Sequence, residues 1–234
     1  MQPDQEQVRE FYDRQYYSDI GSAGTPTGHH LRIARRIGIS AGDRVLDVAC
    51  GTGEWLRAAH DLGAQVSGID LSQKAIEFCR ANNPDGRFLC QGAEKLPFED
   101  NSFDWLTCFG SLEHFPDKPA SMREMARVVK PGGQVLISVP NSDFLGYKTG
   151  FYGGTNQAVV IETPLTIREW EALAQGAGLQ LRARWRDLHF FNPGWITQNG
   201  WLQALPRFLG ACAIAALPLN WQYQVYFHYR RPPL

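Results

Sequence analysis

The sequence predicts an α/β protein built on one doubly wound, mostly parallel sheet of seven strands, with additional cover helices at the N-terminus. Three observations support this fold class. Short apolar runs that suit buried strands alternate with helical patterns between about residues 44 and 140. A glycine-rich turn joins the first of these strands to the helix that follows it. Acidic residues lie near the ends of two predicted strands, at the edge where open parallel sheets bind ligands.

The segment 43–55, D-R-V-L-D-V-A-C-G-T-G-E-W, is the centre of this prediction. Its apolar, β-branched run at 45–49 suits a strand that is buried on both faces. Asp47 interrupts the run, and a carboxylate in a buried strand end is costly unless it has a partner. Cys50-Gly51-Thr52-Gly53 then supplies a tight turn before a helical pattern, which is typical of a nucleotide-binding corner. A βα turn without a ligand would fit the glycines alone.

The later elements continue the alternation. Asp70 ends the second predicted strand and lies 17 residues after Gly53, close to the spacing at which an acid binds a ribose diol. Ser72 is predicted to cap a helix, and Thr166 with Glu169 to form a capping box. The other predictions are strands at 65–70, 87–90, 103–109, 134–139, 179–189 and 222–229, a helix capped by Thr27, a helix at 117–129, and a turn at Pro131-Gly132-Gly133.

The length of 234 residues suits one domain with a sizeable core rather than two full domains. Within this single domain, 1–234, we expect residues 41–140 to form the cofactor-binding core. Residues 1–40 are predicted to form amphipathic helices around a glycine-rich connection, either as ordinary cover or as a lid over the ligand. Residues 141–164 and 192–220 are the predicted substrate-side insertions.

Composition argues against several kinds of partner and site. Lysine plus arginine (23) nearly balance aspartate plus glutamate (24), so the net charge shows no footprint of nucleic acid or anionic membrane. The five cysteines lack metal-site spacing, which favours a reduced, cytoplasmic protein without zinc or disulfides. The polar N-terminus is unlike a secretory signal, and the apolar run at 208–219 is too short to span a bilayer.

Five motifs, in order, resemble those of the class I S-adenosylmethionine-dependent methyltransferases. They are V-L-D-V-A-C-G-T-G, G-I-D-L-S, G-A-E-K-L-P-F-E-D-N-S-F-D, S-L-E-H-F and K-P-G-G-Q-V-L-I-S-V-P-N. The pattern is most similar to the ubiquinone- and menaquinone-biosynthesis-like branch of small-molecule enzymes and covers roughly residues 30–190. The resemblance implies S-adenosyl-L-methionine as cofactor, S-adenosyl-L-homocysteine as product, and a sheet closed by an antiparallel hairpin of its last two strands.

The resemblance also implies roles for residues around the cofactor. Asp47 would orient the amino group of the methionine moiety, and Asp70 would hold the ribose hydroxyls. Leu71 would lie against the adenine, whose edge Ala93 and Glu94 would border. The other expected cofactor-binding residues belong to the glycine turn and to the end of the fourth strand: Ala49, Cys50, Gly51, Gly53, Phe109 and Gly110.

Two positions depart from the family pattern. Ala49 stands where the family usually has the first glycine of G-x-G-x-G, and we expect its methyl group to be tolerated. Gly92 stands where the family often has an acid for the adenine amino group, so adenine recognition would depend on Ala93, Glu94 or water. A nicotinamide dehydrogenase is the nearest alternative, but it would need a third glycine where this chain has Leu56, and a separate catalytic domain.

Aromatic residues and a histidine outside the core are the predicted acceptor-binding residues, and they suit an apolar or planar small molecule. They are Tyr16, His29, Phe144, Tyr147, Tyr152 and Trp195. The segment 192–220 has three open interpretations: a helical hairpin packed on the sheet or on a second subunit, a hydrophobic wall of the substrate site, or a contact with a membrane surface.

Methyl transfer from a sulfonium is an in-line displacement that needs placement and exclusion of water more than acid–base chemistry. A hydroxyl acceptor would benefit from a base, for which His114 is the first candidate, followed by His29, His30 and His189. Packing or cofactor support is the alternative role of His114.

We therefore expect a methyltransferase that acts on a small hydrophobic or aromatic molecule, with O-methylation favoured, as a monomer or homodimer without a nucleic-acid partner. One alternative is an enzyme that methylates a lipid, quinone or glycan precursor at the membrane surface. The other is a non-catalytic binding protein that keeps the fold.

Overall fold

The computed structural model of the chain describes residues 5–17, 28–150, 152–153, 162–191, 193–197 and 200–233. Its strands are β1 (Arg44–Val48), β2 (Gln65–Asp70), β3 (Arg87–Cys90), β4 (Phe103–Phe109), β5 (Val129–Pro140), β6 (Gln180–Arg186) and β7 (Gln224–Arg230). They form one seven-stranded sheet in the order β3-β2-β1-β4-β5-β7-β6.

The strands from β3 to β5 pair in parallel, whereas β7 lies antiparallel between β5 and β6. The predicted doubly wound sheet and its closing hairpin are therefore confirmed. The strand order changes direction between β1 and β4, whose carboxyl ends flank the crevice where open α/β sheets bind ligands. Because β6 points the same way as β5, the segment after β6 begins at that same edge.

The helices pack on both faces of the sheet. They are α1 (Gln5–Phe11), which continues into a π-helical turn (Tyr12–Tyr16), α2 (Gly28–Ile37), α3 (Glu54–His60), α4 (Gln73–Asn82), α5 (Lys118–Val128), α6 (Leu145–Lys148), α7 (Ile167–Gly176), α8 (Pro193–Thr197) and α9 (Trp201–Ala216). Short 3₁₀ turns cover Leu112–His114, His189–Phe191 and Leu219–Trp221. The predicted cap Thr27 and most of the glycine-rich connection lie outside the described residues.

Successive residues of the central strands face opposite sides of the sheet, and each side has its own core. Val45 is buried with Trp105 in one cluster, which α2, α3 and α4 cover. Leu46 is buried with Leu106 in the other, which α5 and α7 cover. Burial on both faces is the reason that these strands are continuous apolar runs in the sequence.

The predicted helix caps are present. Ser72 Oγ accepts a hydrogen bond from the backbone N–H of Ala75 at 3.0 Å at the start of α4. Thr166 and Glu169 form the reciprocal capping box at the start of α7. These local contacts satisfy N–H groups that the first turn of a helix leaves without a partner.

The turn predicted at Pro131-Gly132-Gly133 lies inside β5, which begins at Val129 rather than Gln134. The strand is irregular there, because Gly132 has a left-handed φ of 82° and the register with β4 shifts. The C-terminal tail pairs with this stretch. The Gly132 N–H donates to the Arg231 carbonyl at 2.9 Å, and the Arg231 N–H donates to the Gly133 carbonyl at 2.9 Å. The Arg231 guanidinium also donates to the Val129 carbonyl at 2.5 Å. Contacts from a distant segment, which local sequence does not reveal, therefore include this stretch in the sheet.

The insertion after β6 contains α8 and α9, which contact each other. The side of α9 that faces solvent is apolar, with Leu205 65% and Leu209 58% exposed. Gln222 Nε2 donates to the carbonyls of Ile214 and Leu217 at 2.7 and 2.9 Å, which fixes the end of this helix to the start of β7. Within the described ranges, no helix combines the length and apolar character needed to cross a membrane.

Candidate active site

A cavity of about 490 Å³ lies at the carboxyl ends of β1, β2 and β4, where the strand order changes direction. Segments that are far apart in sequence meet there. From the expected cofactor-binding set, the cavity is lined by Asp47, Ala49, Cys50, Gly51, Asp70, Leu71, Ala93, Glu94, Phe109 and Gly110.

Asp47 lies near the end of β1 and is only 4% exposed. The Thr107 hydroxyl, on the neighbouring strand β4, donates to its Oδ1 at 2.6 Å. Burial raises the pKa of Asp47 well above its ordinary value, although the Thr107 hydrogen bond opposes the shift. The carboxyl group forms no ion pair within the described part of the chain, so it can accept a further hydrogen bond from a ligand.

Asp70 ends β2, and backbone N–H groups hold both of its oxygens. Gly51 donates to Oδ2 and Ser72 donates to Oδ1, each at 2.9 Å. Burial raises the pKa of Asp70 to about 6, and the two backbone hydrogen bonds limit the increase. The first contact ties the glycine turn after β1 to the end of β2. The carboxylate is therefore fixed in place, with lone pairs left for a diol.

The glycine turn adopts left-handed backbone angles at Ala49 (φ 60°), Gly51 (φ 52°) and Gly53 (φ 82°). At Ala49 such an angle is uncommon for a residue with a Cβ atom, and strain of this kind clusters at functional sites. Gly53 does not line the cavity. A Cβ atom there would lie 2.7 Å from the Cys79 Sγ atom of α4, so Gly53 instead allows the start of α3 to approach the second half of α4.

The end of β4 and the turn after it form another part of the cavity lining, beside the ends of β1 and β2. Phe109 packs edge-to-face against Trp55 of α3, with ring centroids 5.1 Å apart. His114, in the 3₁₀ turn after β4, lines the cavity as well. Beside it, Glu113 is 4% exposed, and burial raises the pKa of its carboxyl to about 8. Its Oε1 lies 4.0 Å from His114 Nε2, which is too long for a hydrogen bond.

The N-terminal segment supplies Tyr12, Tyr16 and Tyr17 to the cavity lining. Asp13 docks this segment on α4: its Oδ1 accepts hydrogen bonds from the Ser72 hydroxyl at 2.5 Å and the Lys74 N–H at 3.2 Å. Burial, with the nearby Asp70 carboxyl, raises the pKa of Tyr12 and of Tyr17. Both hydroxyls therefore stay protonated and can donate. Tyr16 was an expected acceptor-binding residue, whereas Tyr17 was not.

His30 lines the cavity, and the predicted acceptor-binding residue His29 does not. His29 Nε2 lies 3.2 Å from the Tyr226 hydroxyl, and its ring packs 4.6 Å from that of His189. Burial and the neighbouring histidines lower the pKa of His29 to about 4. Burial, with His189, also lowers the pKa of His30. His30 is therefore the histidine of α2 that is neutral at pH 7 and able to meet a ligand.

Phe144, Tyr147 and Tyr152 lie outside the cavity lining. They pack with Tyr223 in a cluster whose ring centroids are 5.2–6.1 Å apart. The hydroxyls of Tyr147 and Tyr223 donate to Glu162 Oε1 at 3.1 and 3.3 Å. These rings therefore pack against one another and not against the cavity. The remaining predicted acceptor-binding residue, Trp195, belongs to α8, and its side chain lies outside the described part of the chain.

Several lining residues besides Tyr17 were not expected from the sequence, among them Trp55, Lys118 and Thr163. Trp55 fitted the helical pattern of a core residue. Lys118 and Thr163 are 45 residues apart and meet only in the folded chain, so no local signal indicated them.

The lining fits S-adenosylmethionine better than a phosphate-bearing nucleotide. Among the described residues that line the cavity, four are acidic, Asp47, Glu54, Asp70 and Glu94, and Lys118 is the one lysine or arginine. A neutral adenosine with a cationic sulfonium and an amino group matches an acidic lining, whereas phosphates would require several donors or cations. Among the described residues, no cluster of histidine, cysteine, aspartate and glutamate could hold a metal ion.

Comparisons with known proteins agree with this geometry. Residues 46–137 match the family model described as a methyltransferase domain. A demethylmenaquinone methyltransferase of Oceanobacillus iheyensis is 36% identical over 127 residues, which are 50% of this chain and 53% of the relative. The chain thus spans about half the length of the curated relatives it matches.

Two solved structures show the same fold. Phosphoethanolamine N-methyltransferase 2 of Haemonchus contortus, in complex with S-adenosyl-L-methionine, has a TM-score of 0.66 at 21% identity, over 97% of this chain and 60% of that one. The [4+2]-cyclase SpnF has a TM-score of 0.69 at 22% identity, over 100% of this chain and 98% of that one. Since these proteins differ in their reactions, the likeness concerns the fold.

Proposed function

We propose that this chain, which contains a class I S-adenosylmethionine-dependent methyltransferase domain of the quinone-biosynthesis-like branch, methylates a small, apolar and planar acceptor. One observation carries the proposal. Two buried carboxyl groups, Asp47 and Asp70, lie at neighbouring strand ends around a glycine turn and line one cavity. Neither forms an ion pair within the described residues, so both are available to the hydrogen-bond donors of the cofactor.

When bound, the cofactor supplies a methyl group that its sulfonium already activates. Asp70 would accept hydrogen bonds from the ribose hydroxyls, and Asp47 would accept one from the amino group, directly or through water. Leu71, Ala93 and Glu94 would surround the adenine, because they follow β2 and β3 at the same end of the cavity. The tyrosines of the N-terminal segment would cover the cofactor and exclude water.

The acceptor would lie between the N-terminal tyrosines and the end of β4. Tyr12, Tyr16, Trp55, Phe109 and Phe115 line this part of the cavity. Flat aromatic surfaces suit a flat apolar ring. The demethylmenaquinone methyltransferases among the relatives support an acceptor of the quinone class.

An acceptor hydroxyl would make O-methylation the favoured reaction. His30 is a neutral imidazole that lines the cavity, because burial lowers its pKa, and it can receive a proton at pH 7. His114 is the second candidate base, since it lines the cavity beside Phe115.

The test is a methyl-transfer assay with the purified protein, S-adenosylmethionine and soluble naphthols and naphthoquinols, followed by release of S-adenosylhomocysteine. We expect turnover of at least one of these acceptors, with the new methyl group on oxygen by NMR. Binding of the cofactor without turnover of any of them would contradict the acceptor class. A new methyl group on carbon would contradict O-methylation but not the proposed acceptor class.

A second candidate is an acceptor presented at a lipid surface. It is favoured by the exposed apolar side of α9, a helix of the segment that leaves β6 at the edge of the sheet that carries the cavity. Arg182 and Arg186 of β6 form no ion pair in the described ranges and could meet anionic headgroups.

Co-sedimentation with phosphatidylglycerol vesicles tests this second candidate. Binding should be lost in the pair Leu205→Glu and Leu209→Glu, and kept in Leu181→Glu, a matched change at an exposed leucine of β6. Equal sedimentation of the wild-type protein and the pair would exclude a membrane role of α9.

A further inference from the structure

Lys118 is held at the cavity by contacts from two segments. It is the first residue of α5, and its Nζ donates to the Phe115 carbonyl at 3.1 Å and to the Thr163 hydroxyl at 2.6 Å. Thr163 is itself anchored, because its hydroxyl and N–H donate to the Glu113 carbonyl at 2.9 and 3.2 Å. Lys118 and Thr163 both line the cavity. The ammonium group is therefore positioned, with two of its three N–H donors in use.

Among the described residues, this ammonium group forms no salt bridge with a carboxylate. The lysine ion pairs of the described chain join Lys130 to Asp104 and Lys148 to Asp143, and Lys118 forms none. The nearby carboxyl group of Glu113 interacts with it electrostatically, but burial raises the pKa of that carboxyl to about 8, which weakens it as a counter-charge near pH 7. A half-buried cation without a salt-bridge partner is costly, and an anionic ligand would reduce that cost.

The cavity also has a charge asymmetry. Its acidic lining residues come from β1, β2, the start of α3 and the loop after β3. Lys118 and Thr163 come from α5 and from the segment before α7, beyond the end of β4. The acids suit the cationic cofactor, and the ammonium group lies with the part of the cavity left for the acceptor.

We propose that Lys118, held by Thr163, binds an anionic oxygen of the methyl acceptor and so restricts the acceptor to aromatic molecules that carry a carboxylate or an ionised hydroxyl. This subsite rests on the proposed function and adds a recognised group to it. Lys118 acts here as a specificity-determining residue. Charge-assisted contacts of this kind are stronger than neutral hydrogen bonds.

The test measures binding of 1-naphthoate, and of the neutral 1-naphthalenemethanol, to the protein saturated with S-adenosylhomocysteine. In Lys118→Met, we expect naphthoate to bind about tenfold or more weakly and naphthalenemethanol to change by less than about twofold. Lys118→Arg should retain most of the naphthoate affinity, because the charge remains. Lys95→Met, at an exposed lysine outside the cavity, is the matched control and should bind like the wild type.

1-Naphthol, titrated on both sides of its own pKa, separates the two sources of the anionic oxygen. Dependence on Lys118 for naphthoate alone supports a carboxylate, and dependence for ionised naphthol supports a ring hydroxyl. Equal affinity of wild type and Lys118→Met for both anions would overturn the subsite. Equal weakening of the neutral probe would also overturn it, because that indicates a role in packing. If the wild-type protein does not bind S-adenosylhomocysteine at all, the proposed function itself fails.

Discussion

Asp70 is the residue on which the cofactor assignment depends most directly. Its carboxyl group is held by two backbone N–H groups and faces the cavity. We expect Asp70→Ala to weaken S-adenosylhomocysteine binding by roughly tenfold to a hundredfold, because hydrogen bonds to a charged group are worth about 1.5–3 kcal/mol. Calorimetry measures this, with Asp85→Ala, an exposed acid outside the cavity, as control. An unchanged affinity in Asp70→Ala would show that the ribose assignment is wrong.

Cofactor affinity should also depend on pH through Asp70. Burial raises its pKa from 3.8 to about 6, so its contribution to folding stability is present below about pH 4 and is lost as pH rises through about 6. Ligand binding has the opposite sign, since the charged carboxylate is the better acceptor. Affinity for S-adenosylhomocysteine should therefore rise between about pH 5 and about pH 7, by up to about tenfold per unit below the pKa. Asp70→Asn should flatten this profile. A profile that is already flat in the wild type would contradict the assignment.

At the residue scale, the sequence indicated Asp47 and Asp70 because an acid at the end of a buried strand is costly unless it has a partner. It did not separate His29 from His30. Adjacent helical residues point about 100° apart, and which one faces the cavity depends on how α2 docks. That docking involves Tyr226 and His189, both more than a hundred residues away along the chain.

The capping box of α7 permits a test at the scale of one element. Thr166→Ala removes the hydroxyl that accepts from the Glu169 N–H, and we expect a loss of about 1 kcal/mol in the free energy of unfolding. Urea denaturation measures it. Arg168→Ala, an exposed change in the same helical turn, should cost less than about 0.5 kcal/mol. Equal losses in the two variants would contradict a specific contribution of the cap.

The packing of α3 on α4 depends on Gly53. A Cβ atom at this position would lie 2.7 Å from Cys79 Sγ and 3.3 Å from Cys79 Cα, at a left-handed φ of 82°. Gly53→Ala should therefore destabilise the fold by about 2 kcal/mol or more. Gly176→Ala, where a Cβ atom meets nothing within 4 Å, should be neutral or stabilising in the same denaturation experiment. A Gly53→Ala variant as stable as the wild type would refute this account of the turn.

At the element scale, β2, β3 and β4 have the bounds that the apolar runs indicated. The prediction of β5 missed its first part, because hydrogen bonds with Arg231 in the C-terminal tail include in the strand a Pro-Gly-Gly stretch that is typical of turns. The sixth strand ends at Arg186 rather than His189, because the Asp187 carboxylate accepts from the His189 N–H at 2.9 Å and starts a 3₁₀ turn. Local composition therefore predicted the bounds of strands that pair regularly within the sheet. It failed where contacts with distant segments determine the bounds.

For the whole molecule, topology followed from the alternation of strands and helices because parallel neighbours require crossover helices. The end of the cavity that we assign to the cofactor could be predicted for the same reason, since it is built from strand ends. The acceptor end could not. Phe144, Tyr147 and Tyr152 pack with Tyr223 instead of lining the cavity, and Lys118 reaches Thr163 across 45 residues. Such contacts join loops, and the hydrophobic periodicity of the sequence does not predict the path of a loop.

The central claim is that this cavity binds the cofactor of a methyltransferase. Calorimetric titration of the purified protein with S-adenosylhomocysteine, beside NAD as a control, tests it most directly. We predict one site with a dissociation constant on the order of micromolar for S-adenosylhomocysteine and no measurable heat of binding for NAD. Absence of S-adenosylhomocysteine binding, or comparable binding of NAD, would contradict the claim.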